Sequence, residues 1–171
     1  MINSSPYNNV SFKSNLFLAK LKLLTFISLI YLTSICRSEA MQITEVMYDP
    51  SGTDTGHEWA ELYNDGGSAI TLTSYKFFEA NVNHGITAVR GGATVESGEY
   101  VILADDSTKF MSDYSSYSGK VFDSSFSLSN SGESLSLKDS SLNIISTINY
   151  NVALGAAGNG NTICDVSGVW A

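Results

Sequence analysis

His57-Glu58-Trp59-Ala60-Glu61-Leu62-Tyr63-Asn64 is the stretch around which the rest of the chain is organised. Its composition favours an extended strand, and an Asp-Gly pair follows at once with the chemistry of a turn. Side chains alternate between the two faces of a strand, so Trp59, Glu61 and Tyr63 share one face and Ala60 and Leu62 share the other. We therefore predict that Ala60 and Leu62 face a core, while the opposite face carries aromatic and acidic groups.

Short β-rich runs, separated by turn residues, flank this stretch on both sides. We predict strands at 43–48, 69–72, 75–78, 99–104, 143–150, 162–164 and 169–170. The most apolar run, 99–104, is predicted to be a central strand that is covered on both faces. Two hairpins are predicted, one from the weaker segments 86–89 and 93–95 at a sheet edge, and one that pairs 126–129 with 134–137.

The polar region 105–117 is predicted to hold one short helix that covers one end of the sheets. Many short strands with regular turn signals indicate an all-β sandwich. In the run 143–150, Ile144, Ile148 and Tyr150 are predicted to share a face. The predicted core draws on several strands and comprises Ala60, Leu62, Val101, Leu103, Leu135, Leu137 and Ile148.

The first forty residues have the order of a secretory signal peptide. Basic residues precede the apolar run 23–32, and Ser38-Glu39-Ala40 ends the segment. We predict cleavage after Ala40, which leaves one domain over residues 41–171 and no transmembrane anchor, because the apolar run is shorter than the roughly 20 residues that a span needs. Lipidation at Cys36 and an uncleaved interfacial helix are the alternatives. Either way, the expected location is secreted or at the cell envelope.

The charge of the predicted domain argues against nucleic acid as a direct partner. Residues 41–171 contain 5 basic and 16 acidic residues, a net charge of −11, and the basic residues are scattered along the chain. Such an acid excess repels a phosphate backbone.

Cys164 is the single cysteine after residue 40, so no intramolecular disulfide is expected within the domain, and we predict that this thiol is buried or idle.

Three strings of sequence together resemble the lamin-tail domain in its bacterial form. They are Ile43-Thr44-Glu45-Val46-Met47-Tyr48-Asp49-Pro50, then Glu58–Asn64 after a glycine-containing loop, and Leu128–Leu137. The resemblance spans nearly all of residues 42–170, although relatives usually carry a bulky aliphatic residue at the position of Ala60. It implies an immunoglobulin-like sandwich. It also implies an attachment or interaction role in secreted bacterial proteins, in which such domains are often fused to nucleases, phosphoesterases or other enzymes.

Catalytic motifs are weak throughout the chain. His57-Glu58-Trp59-Ala60-Glu61 is superficially similar to the zinc-protease pattern His-Glu-x-x-His, but that motif requires a helix and a final histidine. On a strand, His57 and Glu61 lie about 13 Å apart, too far to share one ion. Two histidines, one cysteine and no Gly-x-Ser-x-Gly elbow supply no triad, so we predict that the domain is not an enzyme. The alternative is a small secreted hydrolase, metal-dependent or not, or an accessory domain of a separate secreted enzyme.

Carboxylates near the first turn raise the question of a metal site. Asp49 and Asp54 are weak calcium candidates because carboxylates and loop carbonyls are hard oxygen ligands, but their spacing matches no EF-hand loop. Turn formation and solvation explain the same residues, so we predict no cofactor.

The polar face of the central strand is the candidate binding surface. Trp59, Glu61 and Tyr63 combine aromatic contact area with an acid, which suits a protein or an envelope or extracellular glycan. Packing of the two rings inside the sandwich is the alternative. The predicted function is a secreted, non-catalytic interaction or attachment module.

Overall fold

The structure, a computed structural model, describes residues 41–171. The elements in this range are β1 (Met41–Met47), β2 (Trp59–Asn64), β3 (Ile70–Thr71), β4 (Lys76–Glu79), β5 (Val82–Gly85), β6 (Thr87–Arg90), β7 (Thr94–Val95), β8 (Tyr100–Ala104), α1 (Ser107–Asp113), β9 (Lys120–Asp123), β10 (Gly132–Lys138), β11 (Ile144–Asn151), β12 (Ile163–Val166) and β13 (Val169–Trp170). Two short 3₁₀ turns, Leu72–Ser74 and Val152–Leu154, follow β3 and β11.

The strands form two main sheets and a small ribbon. The larger sheet has seven strands in the order β13-β12-β1-β2-β8-β9-β6, and the smaller has four in the order β11-β10-β4-β5. The ribbon pairs β3 with β7. Only the β8–β9 pair is parallel among the pairings of residues 41–171. Strand β2 therefore lies between β1 and β8, inside the larger sheet.

The inner faces of the two sheets meet in one hydrophobic core, as an immunoglobulin-like sandwich requires. Ala60, Leu62, Val101 and Leu103 of the larger sheet pack in the same cluster as Leu135, Leu137 and Ile148 of the smaller one. All seven are buried, so the predicted core and the all-β sandwich are confirmed.

A second, smaller cluster lies on the outer face of the larger sheet. The short helix α1 is capped at its start by the Asp106 carboxylate, which accepts from the backbone N–H groups of Thr108 and Lys109. Its Phe110 joins a cluster with residues of four strands, β1, β2, β8 and β9, and the cluster comprises Met47, Trp59, Ile102, Ala104, Phe110 and Val121. The predicted helix is confirmed, but its predicted position was wrong, because it covers the outer sheet face rather than one end of the sheets.

The hairpin predicted between 126–129 and 134–137 is wrong. Strand β10 pairs with β11 and β4, and residues 126–129 form no strand. Phe126 and Leu128 are nevertheless buried in the core, which explains their alternating pattern. The alternation indicated that two side chains are buried, and it did not indicate a hydrogen-bonded partner strand.

The edge hairpin predicted from 86–89 and 93–95 is also wrong. Strand β6 pairs with β9 and β7 pairs with β3. The hairpin present in this region joins β4 to β5 through Ala80 and Asn81, which both have positive φ, of 45° and 65°. A tight two-residue hairpin turn requires this conformation. An Ala-Asn pair is not the usual sequence of such a turn, so the turn could not be identified from the sequence.

Ile144 does not share the buried face of β11 with Ile148 and Tyr150, and it is 62% exposed. The β10–β11 register shifts between Leu137 and Lys138 and leaves Ile145 without a directly opposite partner, so that Ile145 packs against the core while Ile144 is exposed. The predicted signal peptide, its cleavage after Ala40 and the alternative of lipidation at Cys36 all lie outside the described residues. No helix within residues 41–171 is long and apolar enough to cross a membrane.

Candidate functional site

The two faces of β2 are placed as predicted. Ala60 and Leu62 point into the sandwich, while Trp59, Glu61 and Tyr63 point to the outer face of the larger sheet. Residues directly opposite on adjacent strands share a face, so β1 and β8 extend this surface on both sides. The resulting rows are Met47–Trp59–Ala104, Glu45–Glu61–Ile102 and Gln42–Tyr63–Tyr100.

Trp59 is not the exposed ring that a binding surface would present. It is 7% exposed, and its indole meets the rings of Phe110 and Tyr114 edge-on at centroid distances of 5.9 and 5.7 Å. Its Nε1–H donates to the Tyr114 hydroxyl at 3.2 Å. Trp59 is therefore a packed ring, but it packs under α1 on the outer face and not inside the sandwich as the alternative supposed, because the sequence did not show where the helix docks.

A groove remains beside the helix, between α1 and the segment that leads into β12. It has a volume of about 690 Å³. Strands β1, β2 and β8 form its floor, and aromatic rings of the helix region form one wall. The lining residues are Glu45, Met47, Trp59, Glu61, Ile102, Phe110, Tyr114, Tyr117, Gly160, Asn161 and Thr162. We call this the outer groove.

A second cavity, of about 470 Å³, shares Met47, Tyr114 and Gly160 with the outer groove. It contains His57 and Asp113, whose Nδ1 and Oδ2 atoms lie 2.6 Å apart. The shared lining residues make the two cavities neighbours along one side of the sheet. The sequence predicted neither cavity, because both depend on where α1 and residues 160–162 lie.

Two glutamates stand side by side on the floor of the outer groove. Glu45 and Glu61 are direct cross-strand partners, and both are half-buried. The Thr44 hydroxyl donates to Glu61 Oε1 at 2.8 Å, and the Thr162 hydroxyl donates to Glu45 Oε1. Burial raises the pKa of Glu61, the Thr44 hydrogen bond opposes that change, and the negative charge of Glu45 adds to it.

The third predicted residue, Tyr63, lies one row further along the same face. Its ring stacks on that of Tyr100 with centroids 4.3 Å apart and an angle of 24° between the planes. Tyr100 is 51% exposed, whereas Tyr63 is half-buried. This pair does not line the outer groove but continues the outer face beyond Glu61, so the structure brings Trp59 and Glu61 into one cavity and leaves Tyr63 beside it.

Asp49 and Asp54 come together through an amide. The side-chain Nδ2 of Asn130 donates to Asp49 Oδ1 at 3.3 Å and to Asp54 Oδ2 at 2.7 Å. Across residues 41–171, no group of three or more His, Cys, Asp or Glu side chains has the arrangement to hold a metal ion. The absence of a cofactor stays a prediction, with Asp49 and Asp54 as the weak calcium candidates.

The third acidic feature is buried. Glu58 is 2% exposed, and its Oε2 accepts from the backbone N–H of Leu128 at 2.9 Å. Burial raises the pKa of Glu58 to about 8, against the opposing effect of that hydrogen bond, and the nearby charges of Asp105, Asp54 and Glu133 raise it further. Glu58 therefore supports the fold from beneath the surface and does not face either cavity.

The possible nucleophiles do not meet a base. His57 and Asp113 form an orienting pair, but in the described part of the chain no hydrogen bond joins His57 to Ser51, Thr53 or Cys164. Cys164 is half-buried, has a free thiol and lies opposite Glu45 on β12. The zinc-protease pattern is wrong as a motif here, because Trp59–Asn64 is a strand.

Comparison with known proteins gives one result at the family level. The family model of the lamin tail domain matches residues 37–152, which include every strand from β1 to β11. No curated protein and no solved structure gives a significant match.

Proposed function

The chain belongs to the lamin tail domain family, and we propose on that premise that it is an exported, non-catalytic module that binds a protein or a glycan at the cell envelope. Lamin tail domains are immunoglobulin-like interaction domains, and the family is generally non-catalytic. Export, the location and the partner are the proposed parts. They are supported by the basic and apolar order of residues 1–40 and by the −11 charge of residues 41–171.

The observation that carries the binding proposal is the outer groove. A concave site of this size, with aromatic walls and a few polar groups on its floor, is typical of ligand recognition. The neighbouring cavity and the Tyr63–Tyr100 pair extend the surface along the same face. Together they offer a contact path longer than one side chain, which suits a polymeric partner.

One observation favours a second function, that of a small secreted hydrolase. His57 and Asp113 have the spacing of a base and the carboxylate that orients it, and they border a cavity. Within residues 41–171, no hydrogen bond joins His57 to a nucleophile, which such a hydrolase would need. Assays with ester, phosphoester, peptide and glycoside substrates, with and without divalent metals, would detect this function. Turnover that is lost in the His57→Ala variant would show that the domain is a hydrolase and would overturn our proposal.

The binding proposal is tested by filling the groove. Asn161 is exposed and lines the outer groove, so Asn161→Trp should obstruct it without disturbing the core. Asn149→Trp is the matched control, because Asn149 is exposed on β11 of the other sheet. We expect Asn161→Trp to lose partner recovery from envelope extracts and binding to glycan arrays, while Asn149→Trp keeps both. Equal binding by the two variants would overturn the assignment of the groove.

Export is tested separately. Intact mass spectrometry of the protein recovered outside the cytoplasm should give a chain that begins at Met41. A full-length chain retained in the cytoplasm would contradict export, and a lipid-bearing chain that begins at Cys36 would contradict cleavage after Ala40.

A further inference from the structure

In the part of the chain that the structure describes, no ion pair compensates the charges of the two glutamates on the floor of the outer groove. The ion pairs of the described residues join His57 to Asp113, His84 to Glu79 and Lys120 to Glu99. None of them involves Glu45 or Glu61. Like charges directly opposite each other on neighbouring strands destabilise a sheet, and partial burial of the two carboxylates increases their repulsion. The free domain therefore keeps an unfavourable arrangement that a cation would relieve.

Both carboxylates are nevertheless held in place. Each accepts a hydrogen bond from one threonine hydroxyl, Thr44 for Glu61 and Thr162 for Glu45. A neutral hydroxyl orients a carboxylate without neutralising it. The floor of the groove is thus a fixed pair of negative groups with room above it.

The wall of the groove already binds a guanidinium group on one of its rings. The Arg90 guanidinium carbon lies 5.4 Å from the centroid of Tyr117, and Arg90 Nε donates to the carbonyl oxygen of Gly119 at 3.0 Å. Tyr114 adds a second tyrosine ring that is 37% exposed. Arginine suits such a place because its planar fork can bridge carboxylates and stack on aromatic faces.

A sugar fits the same groove less well. Sugar stacking requires an open aromatic face, but Trp59, the largest ring of the lining, is 7% exposed and meets Phe110 and Tyr114. Charge complementarity selects a cation instead. The length of the surface, from the second cavity to the Tyr63–Tyr100 pair, selects a polypeptide over a small free cation.

We infer that the outer groove recognises an arginine side chain of a partner polypeptide, with its guanidinium group between Glu45 and Glu61. This inference rests on the function proposed above, since it names the chemistry of the partner that the groove would bind. The aliphatic stem of the arginine would lie along Met47 and Ile102, which line the groove beside the two acids.

The test is an NMR titration of the protein purified after expression of the full chain. The probe is N-acetyl-arginine amide, and the neutral isostere N-acetyl-citrulline amide is the matched control ligand. Trp59 Nε1–H is the local reporter because Trp59 lines the groove, and Trp170, the second tryptophan, is the internal control outside the groove lining. We expect saturable shifts of the Trp59 signal with the arginine probe, and binding of the citrulline probe at least about tenfold weaker.

Two charge variants locate the binding. Glu61→Gln keeps an acceptor for Thr44 and removes one charge from the groove, and Glu96→Gln removes the same charge from an exposed position outside the groove lining. We expect Glu61→Gln to weaken the arginine probe about tenfold and Glu96→Gln to change it less than twofold. Equal affinity for citrulline, or equal effects of the two variants, would overturn the inference.

Other ligands separate this inference from the proposed function. If N-acetylglucosamine oligomers or spermidine shift Trp59 more strongly than the arginine probe, a glycan or a free polyamine is the occupant and the arginine inference is wrong. The same holds if no probe binds but Asn161→Trp still abolishes partner recovery, and the interaction module then stands without it. If Asn161→Trp leaves recovery intact, the proposed use of the groove fails first.

Discussion

Leu128 donates its backbone N–H to the Glu58 carboxylate at 2.9 Å, across 70 positions of sequence. Its neighbours behave in the same way: Ser127 N–H donates to Glu79 at 3.4 Å and Ser129 N–H donates to Glu133 at 2.7 Å. Three consecutive backbone N–H groups thus donate to three different carboxylates. Buried N–H groups require acceptors, and here side chains replace the ladder partner that a strand would have supplied.

The first prediction concerns the pH dependence of stability. Because the pKa of Glu58 rises from 4.5 to about 8 on folding, the folded chain keeps a proton that the unfolded chain releases between these values. The contribution of Glu58 to the free energy of unfolding should therefore fall as pH rises from about 4.5 to about 8, and stay constant above that range. Glu58→Gln, which stays neutral at every pH, should lack this pH-dependent fall. Urea denaturation of both proteins from pH 5 to pH 9 measures the difference.

The outcome has a clear sign. Glu58→Gln should become more stable relative to the parent protein as pH rises, and two parallel curves would contradict the raised pKa. Glu58→Ala separates charge from hydrogen bonding, since it also leaves Leu128 N–H without an acceptor. We expect it to be less stable than Glu58→Gln by about 1–3 kcal/mol.

The second prediction tests the inner face of β2. Leu62 is fully buried in the main core, so Leu62→Ala should lower the free energy of unfolding by about 2–5 kcal/mol. Ile144→Ala is the control because Ile144 is 62% exposed, and its effect should stay within about 0.5 kcal/mol. Chemical denaturation measures both. A loss under about 0.5 kcal/mol for Leu62→Ala would mean that this side chain does not occupy a packed site.

The faces of the central strands could be read from the sequence because burial imposes a period of two wherever one face meets a core. Ala60, Leu62, Val101 and Leu103 follow that rule and are buried. The pairing of strands was harder to predict from the sequence. The alternation of Phe126 and Leu128 comes from burial alone, because glutamates satisfy this segment's backbone and no local pattern distinguishes it from a paired strand.

The outer groove could not be predicted from the sequence for a different reason. Its acid, Glu61, was identified from the sequence as part of a candidate surface, and its cross-strand partner Glu45 was not, since pairing depends on register. The β1–β2 register shifts between Ile43 and Glu45, and this irregularity sets Glu45 opposite Glu61. The burial of Trp59 depends on the docking of α1, which is a long-range event that strand periodicity does not report.

The third prediction concerns the turn between β4 and β5. Ala80 adopts a φ of 45°, which an alanine side chain tolerates poorly and asparagine tolerates better. Ala80→Asn should therefore raise the free energy of unfolding by up to about 1 kcal/mol. Ala157→Asn is a suitable control, since Ala157 is exposed and has no positive φ. Equal changes in the two variants, measured by thermal and urea denaturation, would show that the backbone of Ala80 is not strained.

The last prediction separates the two rings on the outer face of β2. Trp59 is buried against Phe110 and Ile102, so Trp59→Ala should lower the free energy of unfolding by about 3–5 kcal/mol. The same variant should weaken the near-ultraviolet circular dichroism of the aromatic cluster. Tyr63 is half-buried and stacks on an exposed ring, so Tyr63→Ala should cost only about 0.5–1.5 kcal/mol. A loss of partner recovery in Tyr63→Ala would then reflect the surface, whereas the same loss in Trp59→Ala would reflect unfolding. If Trp59→Ala costs less than about 0.5 kcal/mol, the helix does not pack on this ring, and the wall of the outer groove is not rigid.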